Sequence, residues 1–302
     1  MLNYNTIFRS CQRHQMNVEI QHYSFKAWKA QWSSVPTDWW RVVLAVLAFL
    51  AGLVAIAALG HFAIIPLIKS TFPDISPLAK ELVQFGVIGL QFVSGLLAFL
   101  FVKRLLHKQA PSVLASSAAS FRGIDAVVSG ALFLILALIS AVVVDGTQPI
   151  VDRIAEYPMS AWISLVLIAL IAVGIQASTE EVVFRGYLLP VLASRMRVVT
   201  AVVIATVVFT VGHPQSGIYG TIGVALFSLL FSISILRAGS ISFAMGAHVT
   251  NNMAMMLLFP DMSNADARLV DVVSLAASLL IWLAYVEYVV RQRRSIRGQK
   301  NV

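Results

Sequence analysis

Charge is what this sequence has least of: Asp, Glu, Lys and Arg make up 12% of its 302 residues, against about 25% in a soluble globular domain. Hydrophobic residues reach 59% and the mean hydropathy is +0.83, which excludes an ordinary soluble domain. Cysteine is almost missing too. The single Cys11 excludes an internal disulfide and any cysteine-rich metal site, and reads as an incidental thiol. No short apolar core followed by a small-residue cleavage site opens the chain, so no secretory signal peptide is expected. There is no internal repeat, and HExxH, the usual helical zinc-protease motif, is absent.

What is there is a succession of apolar runs. Residues 42–68, 82–102, 126–144, 157–179, 198–236, 238–260 and 272–286 contain no Asp, Glu, Lys or Arg. A membrane span needs roughly 20 apolar residues, so the 198–236 run holds two helices, separated by the breaker-rich GHPQSGIYG. The expected fold is therefore all-α, a polytopic integral membrane protein of about eight transmembrane helices with the active site inside the bundle. It divides into a polar N-terminal tail, 1–41, an eight-helix membrane domain, 42–290, and a basic C-terminal tail, 291–302. Within the first tail, FKAWKAQW reads as solvated chain, with an amphipathic helix lying on the membrane surface as the other reading.

Cytoplasmic loops collect Lys and Arg. With the N-terminus inside, 17 of the 22 basic residues fall on the inner side: five in 1–41, four in 103–122, Arg195 and Arg197, Arg237, and five in 291–300. The outer side receives Lys69, Lys80, Arg153 and Arg268 among acids such as Asp74, Asp145, Asp152, Glu156, Asp261 and Asp266. Both termini are thus expected in the cytosol, with the bacterial inner membrane as the location. Basic loops facing anionic lipid account for the net charge of +8, and no nucleic-acid partner is implied.

Ionisable groups inside membrane helices are costly and mark function by default. Three constellations stand out: Glu180, Glu181 and Arg185 in ASTEEVVFRGYLLP, Phe209 and His213 in FTVGH, and His248 and Asn252 in HVTNN. In each, residues four apart share a helix face. Measured from the turn at Arg195 and Arg197, Glu180 and His213 both come out some 20 to 27 Å along their helices, so they can meet. His248 lies only about 12 Å beyond the next turn. A long cytosolic projection of the fourth and fifth helices would remove that mismatch.

EEVVFR, FTVGH and HVTNN, in that order, resemble the EExxxR, FxxxH and HxxxN motifs of the CPBP intramembrane proteases, the group of the type II CAAX prenyl endopeptidases and bacterial Abi proteins. The resemblance covers residues 177–252. It implies cleavage of a peptide bond in a membrane-anchored or prenylated protein or peptide. It makes Glu180 the general base, sharing a water with His213. His248 and Asn252 would donate to the oxyanion, Asn252 being also able to fix a histidine tautomer, and Glu181 and Arg185 would form a supporting ion pair. Metal-free chemistry is the preferred expectation. Zinc held by Glu180, His213 and His248 is the other reading, since two histidines and a carboxylate can bind it with a position left open.

Other classes remain in view at this level. Buried Glu and His chains also mark proton-coupled transporters, which would show repeat symmetry, and a scaffold with a vestigial site would show the same motifs. His61 and His107 read as packed or hydrogen-bonded residues, Asp125 and Glu287 as solvated or snorkelling charges, and Gly212, Pro214 and Gly217 as helix breakers.

Overall fold

The structure is a computed structural model that describes residues 25–33, 38–72, 74–108, 114, 121–213, 217–259 and 267–299. Cys11, Pro214, Asp261 and Asp266 fall outside the described residues. Among the described residues ten helices follow one another: α1 (Phe25–Ser33), α2 (Trp39–Leu59, continued by Gly60–Ile64 and Ile65–Thr71), α3 (Pro77–His107), α4 (Gly123–Asp145), α5 (Gln148–Ala155), α6 (Met159–Arg195), α7 (Val198–Val211), α8 (Gly217–Ala238), α9 (Ser242–Leu258) and α10 (Leu269–Gln299). Among the described residues six, namely α2, α3, α4, α6, α8 and α10, are long and apolar enough to cross a membrane. Large apolar side chains such as Val54, Leu97, Val143, Ile171 and Val211 face outward. In water that surface would drive aggregation; in lipid it is matched, and the protein is a multi-pass integral membrane protein.

The remaining apolar helices are shorter. α7 has 14 residues and α9 has 17, so at 1.5 Å per residue they rise about 21 and 26 Å, less than the roughly 30 Å of the hydrocarbon core. With them the eight apolar helices read from the charge-free runs are all present.

Helix pairs close through small residues, as lipid-embedded helices must when apolar packing gives no net gain over lipid. On the α4–α9 crossing a Cβ added to Gly246 would lie 1.9 Å from the Ala126 carbonyl oxygen, and one added to Gly130 would lie 2.9 Å from that of Gly246. Gly246→Ala is therefore expected to push these helices apart and lower the thermal midpoint in detergent, by the equivalent of about 1–3 kcal/mol. An unchanged midpoint would show that the helices can separate without loss. The same crossing is pinned by Trp282 Nε1, which donates to Ser129 Oγ at 2.7 Å, while Ser129 donates to the Phe243 carbonyl at 2.7 Å.

Two polar clamps tie the ends of the bundle. At one end Arg153 is buried and donates to the Leu257 carbonyl at 2.8 Å and to Glu81 at 2.6 Å, with its guanidinium 5.3 Å from the rings of both Tyr157 and Trp162. Burial works against its charge, but the Glu81 and Glu156 carboxylates hold its pKa above the ordinary value. At the other end Asp125 is buried and takes a forked pair from Arg293, one bond at 2.7 Å. That corrects the reading of Asp125 as a solvated charge: α10 continues beyond residue 290 and brings Arg293 over it. Glu287 is partly exposed and shared by Arg237 and Arg291.

The solvated-tail reading of FKAWKAQW is also corrected. Trp28 and Trp32, four apart and so on one face of α1, are both 0% exposed. Trp32 meets Tyr187 edge-on at 5.2 Å and His107 at 5.9 Å. α1 packs on Leu189–Arg195, the last two turns of α6. His107 is hydrogen-bonded, its Nε2 2.9 Å from the Tyr187 hydroxyl, whereas His61 lies exposed beside Phe62 and is not packed as expected.

Candidate active site

The site is built around the middle of α6, where the helix changes its winding. Met159–Glu180 is α-helical, Glu181–Leu188 is π-helical, and Leu189–Arg195 is α-helical again. Wide turns of this kind frequently occur at functional sites, because they re-aim the side chains that follow. Here the change falls between the adjacent carboxylates. Glu180 and Glu181 are both buried, and they meet the His248 ring at its two different nitrogens.

Glu180 accepts a hydrogen bond at Oε1 from Gln176 Nε2, at 2.8 Å. Its other oxygen, Oε2, lies 3.4 Å from His213 Nε2 and 3.5 Å from His248 Nε2. Among the described residues Oε2 makes no direct hydrogen bond. His213 follows the end of α7, is partly exposed, and donates from Nδ1 to the Phe209 carbonyl at 2.7 Å. Its ring stacks on Phe209 at 4.1 Å. His248 sits inside α9, buried against Phe227, whose ring is 5.0 Å away, and its Nδ1 is 2.8 Å from Glu181 Oε1. Both Nδ1 atoms therefore face acceptors, and both Nε2 atoms face the same carboxylate oxygen.

Glu181 Oε1 also takes a bond from Arg185 Nη1 at 3.2 Å, with both residues essentially inaccessible. The Arg185 guanidinium lies 4.1 Å from the Phe209 ring centroid. Asn252 is turned the other way: its Nδ2 donates to Gln176 Oε1 at 3.0 Å. Glu180, Glu181, Arg185, His213, His248 and Asn252 thus form one connected cluster. Tautomer control differs from expectation, because Glu181 orients His248 and the Phe209 carbonyl orients His213, leaving Asn252 directed at Gln176. Gln176 and Phe209 are participants to which the sequence reading gave no role. The signals were present, since Gln176 stands four residues before Glu180 and Phe209 four before His213.

The cluster faces a cavity of about 900 Å³, lined mainly by α4, α8, α9 and α10, with Gln176 of α6 and Phe209 of α7 also on its wall. Its inner end carries Phe133, His213 and His248, and its far end Asp145, Arg268 and Asp271. Along α4 these ends are 12 residues apart, or about 18 Å. At the far end Arg268 bridges Asp145 and Asp271 at 2.6 and 2.8 Å, and its hydrogen bonds to Asp271 and Asp145 raise its pKa above the ordinary value.

In zinc sites a ligating imidazole usually has its second nitrogen held by a carboxylate or a carbonyl, and both histidines here are held in that way. The donor types thus fit zinc, although among the described residues no group of three His, Cys, Asp or Glu side chains meets the geometry of a metal site.

Residues 160–254, from the start of α6 nearly to the end of α9, match the family model described as Type II CAAX prenyl endopeptidase Rce1-like. All six motif residues lie in that segment. That segment, about a third of the chain, is similar to the family so described. No curated protein matches it.

Proposed function

We propose that this protein is a metal-free intramembrane endopeptidase in which Glu180 and His213 activate a water. One observation carries the reading: a buried carboxylate oxygen and the Nε2 atoms of two histidines, each held at Nδ1, converge within 3.5 Å on a cavity. A water held by Glu180 Oε2 and His213 Nε2 gives its proton to Glu180 and attacks the scissile carbonyl carbon. The oxyanion accepts from His248 Nε2–H, whose charge Glu181 balances, and from the second N–H of Asn252. Glu180 then passes the proton to the departing amine, so one water and one peptide bond give an acid and an amine. The substrate is a membrane-anchored or prenylated protein or peptide, and both termini lie in the cytosol of a cell whose inner membrane holds the bundle.

A second reading has its own support in the donor set. Zinc would be held by Glu180, His213 and His248, and when bound it would supply Lewis-acid polarisation of the water. The two readings part cleanly. Purified protein is expected to cleave a fluorogenic prenylated peptide after exhaustive chelation, at an unchanged rate. About one equivalent of copurifying metal that is required for turnover, and is lost in His213→Ala, would overturn the metal-free form. Inhibition by added zinc decides nothing, because excess metal can occupy such a cluster. Natural substrates are sought by comparing membrane proteomes of cells carrying wild type and Glu180→Ala, where they accumulate uncleaved.

A further inference from the structure

A chain of three carboxamides ends on the proposed base. Asn251 Nδ2 donates to Asn252 Oδ1 at 3.1 Å, Asn252 Nδ2 to Gln176 Oε1 at 3.0 Å, and Gln176 Nε2 to Glu180 Oε1 at 2.8 Å. All three lie on the cavity wall. The sense of the chain follows from its last member. An ionised carboxylate only accepts, so Gln176 must present its NH₂ to Glu180. Its oxygen then faces Asn252, which must donate, and the oxygen of Asn252 faces Asn251, which must donate in turn. In each link the donating N–H points toward Glu180, and chains of this kind polarise one another in a medium of low dielectric.

We infer that Gln176 is a positioning residue, through which Asn252 and Asn251 hold the Glu180 carboxylate with Oε2 turned to the two histidines. This rests on the proposed role of Glu180 as base. Tying Oε1 to α9 through Gln176 fixes the rotation of the carboxylate about its terminal bond, which burial alone leaves open. It also satisfies one buried oxygen in its charged form. The charged or titratable groups facing Glu180 are His213 from the end of α7, His248 from α9, and Glu181 and Arg185 from its own helix. Among these contacts the carboxamide chain alone acts on Oε1.

The test reads the titration of Glu180 in two ways. One is the acid limb of kcat against pH for a fluorogenic prenylated peptide. The other is the carboxyl band in infrared titration that is missing from Glu180→Gln, which needs no turnover. Gln176→Leu is expected to lower kcat about 10- to 100-fold, the worth of one hydrogen bond to a charged group, with KM little changed. Both readouts move to higher pH, because the anion loses a donor. Asn251→Asp turns the far end from donor to acceptor, so Asn252 and Gln176 must reverse or meet oxygen to oxygen. It is expected to move both readouts in the same direction, although it does not touch Glu180. Asn251→Ala removes the donor without reversing anything and moves them less.

A Glu180 band that titrates as in wild type in both Gln176→Leu and Asn251→Asp would overturn the inference, whether or not the wild type cleaves peptide. A shifted band in a wild-type background that cleaves nothing would instead leave the chain standing and remove the protease reading. Should Gln176→Leu fail to fold, Asn251→Asp carries the test.

Discussion

Glu180→Gln is expected to reduce peptide cleavage about 10²- to 10⁴-fold, the usual cost of losing a general base, while the protein remains folded. The substitution keeps the shape of the side chain and one acceptor oxygen, and it replaces the group that takes the proton. Gln176 can still donate if the remaining oxygen turns toward it, but the new NH₂ then faces His213 Nε2 and His248 Nε2, 3.4 and 3.5 Å from the present Oε2. Nothing in that position accepts a proton from water. The measurement is turnover by purified variant in detergent beside its thermal midpoint. Cleavage at the wild-type rate would remove Glu180 from the chemistry whatever the geometry around it.

Arg185→Ala is expected to have the largest effect on stability. Arg185 is buried, pairs with Glu181 at 3.2 Å and lies over Phe209. Removing it leaves the Glu181 carboxylate in the bundle with His248 as its remaining partner. Breaking a buried pair from one side typically costs about 3–5 kcal/mol, and the lost packing on Phe209 adds to this. Activity falls as well, because Phe209 also carries His213. Replacing both members with uncharged residues of similar volume, as in Glu181→Gln with Arg185→Met, should recover much of the midpoint but not the activity, since His248 loses its carboxylate. A normal midpoint for Arg185→Ala alone would show that the guanidinium is not needed to balance the charge.

Much of this arrangement was legible in the chain because the relevant rules are local. Charge-free runs mark helices in lipid whatever their neighbours do, and that is why all eight apolar helices could be read, including the short α7 and α9. Residues four apart share a face, which gathered Glu181 with Arg185, and Phe209 with His213. The same spacing links Gln176 to Glu180 and Trp28 to Trp32, but Gln is uncharged and drew no notice, and a Trp pair suits a membrane surface as well as a buried face, so FKAWKAQW did not disclose its packing. Asp125 and Arg293 are 168 residues apart, and no spacing rule reaches that far. The orientation of His248 by Glu181 was hidden in the same way. The two residues are 67 apart in the chain and meet only through the packing of α9 on α6.

The π-helical winding of Glu181–Leu188 makes the length of that segment matter as much as its composition. A π turn holds an extra residue compared with an α turn. If one residue is deleted between Val182 and Leu188, the segment can relax to regular α-helix and keep its backbone hydrogen bonds. Residues beyond the deletion then keep their faces, since the residue lost is the one the wide winding had absorbed, whereas those inside the segment turn by about 100° per residue of shift. Leu189–Arg195 would still present the same face to α1, while Arg185 or Tyr187, inside the segment, would leave its partner. A one-residue gap within Glu181–Leu188 would therefore mark a protein whose helix runs through this point without the wide winding.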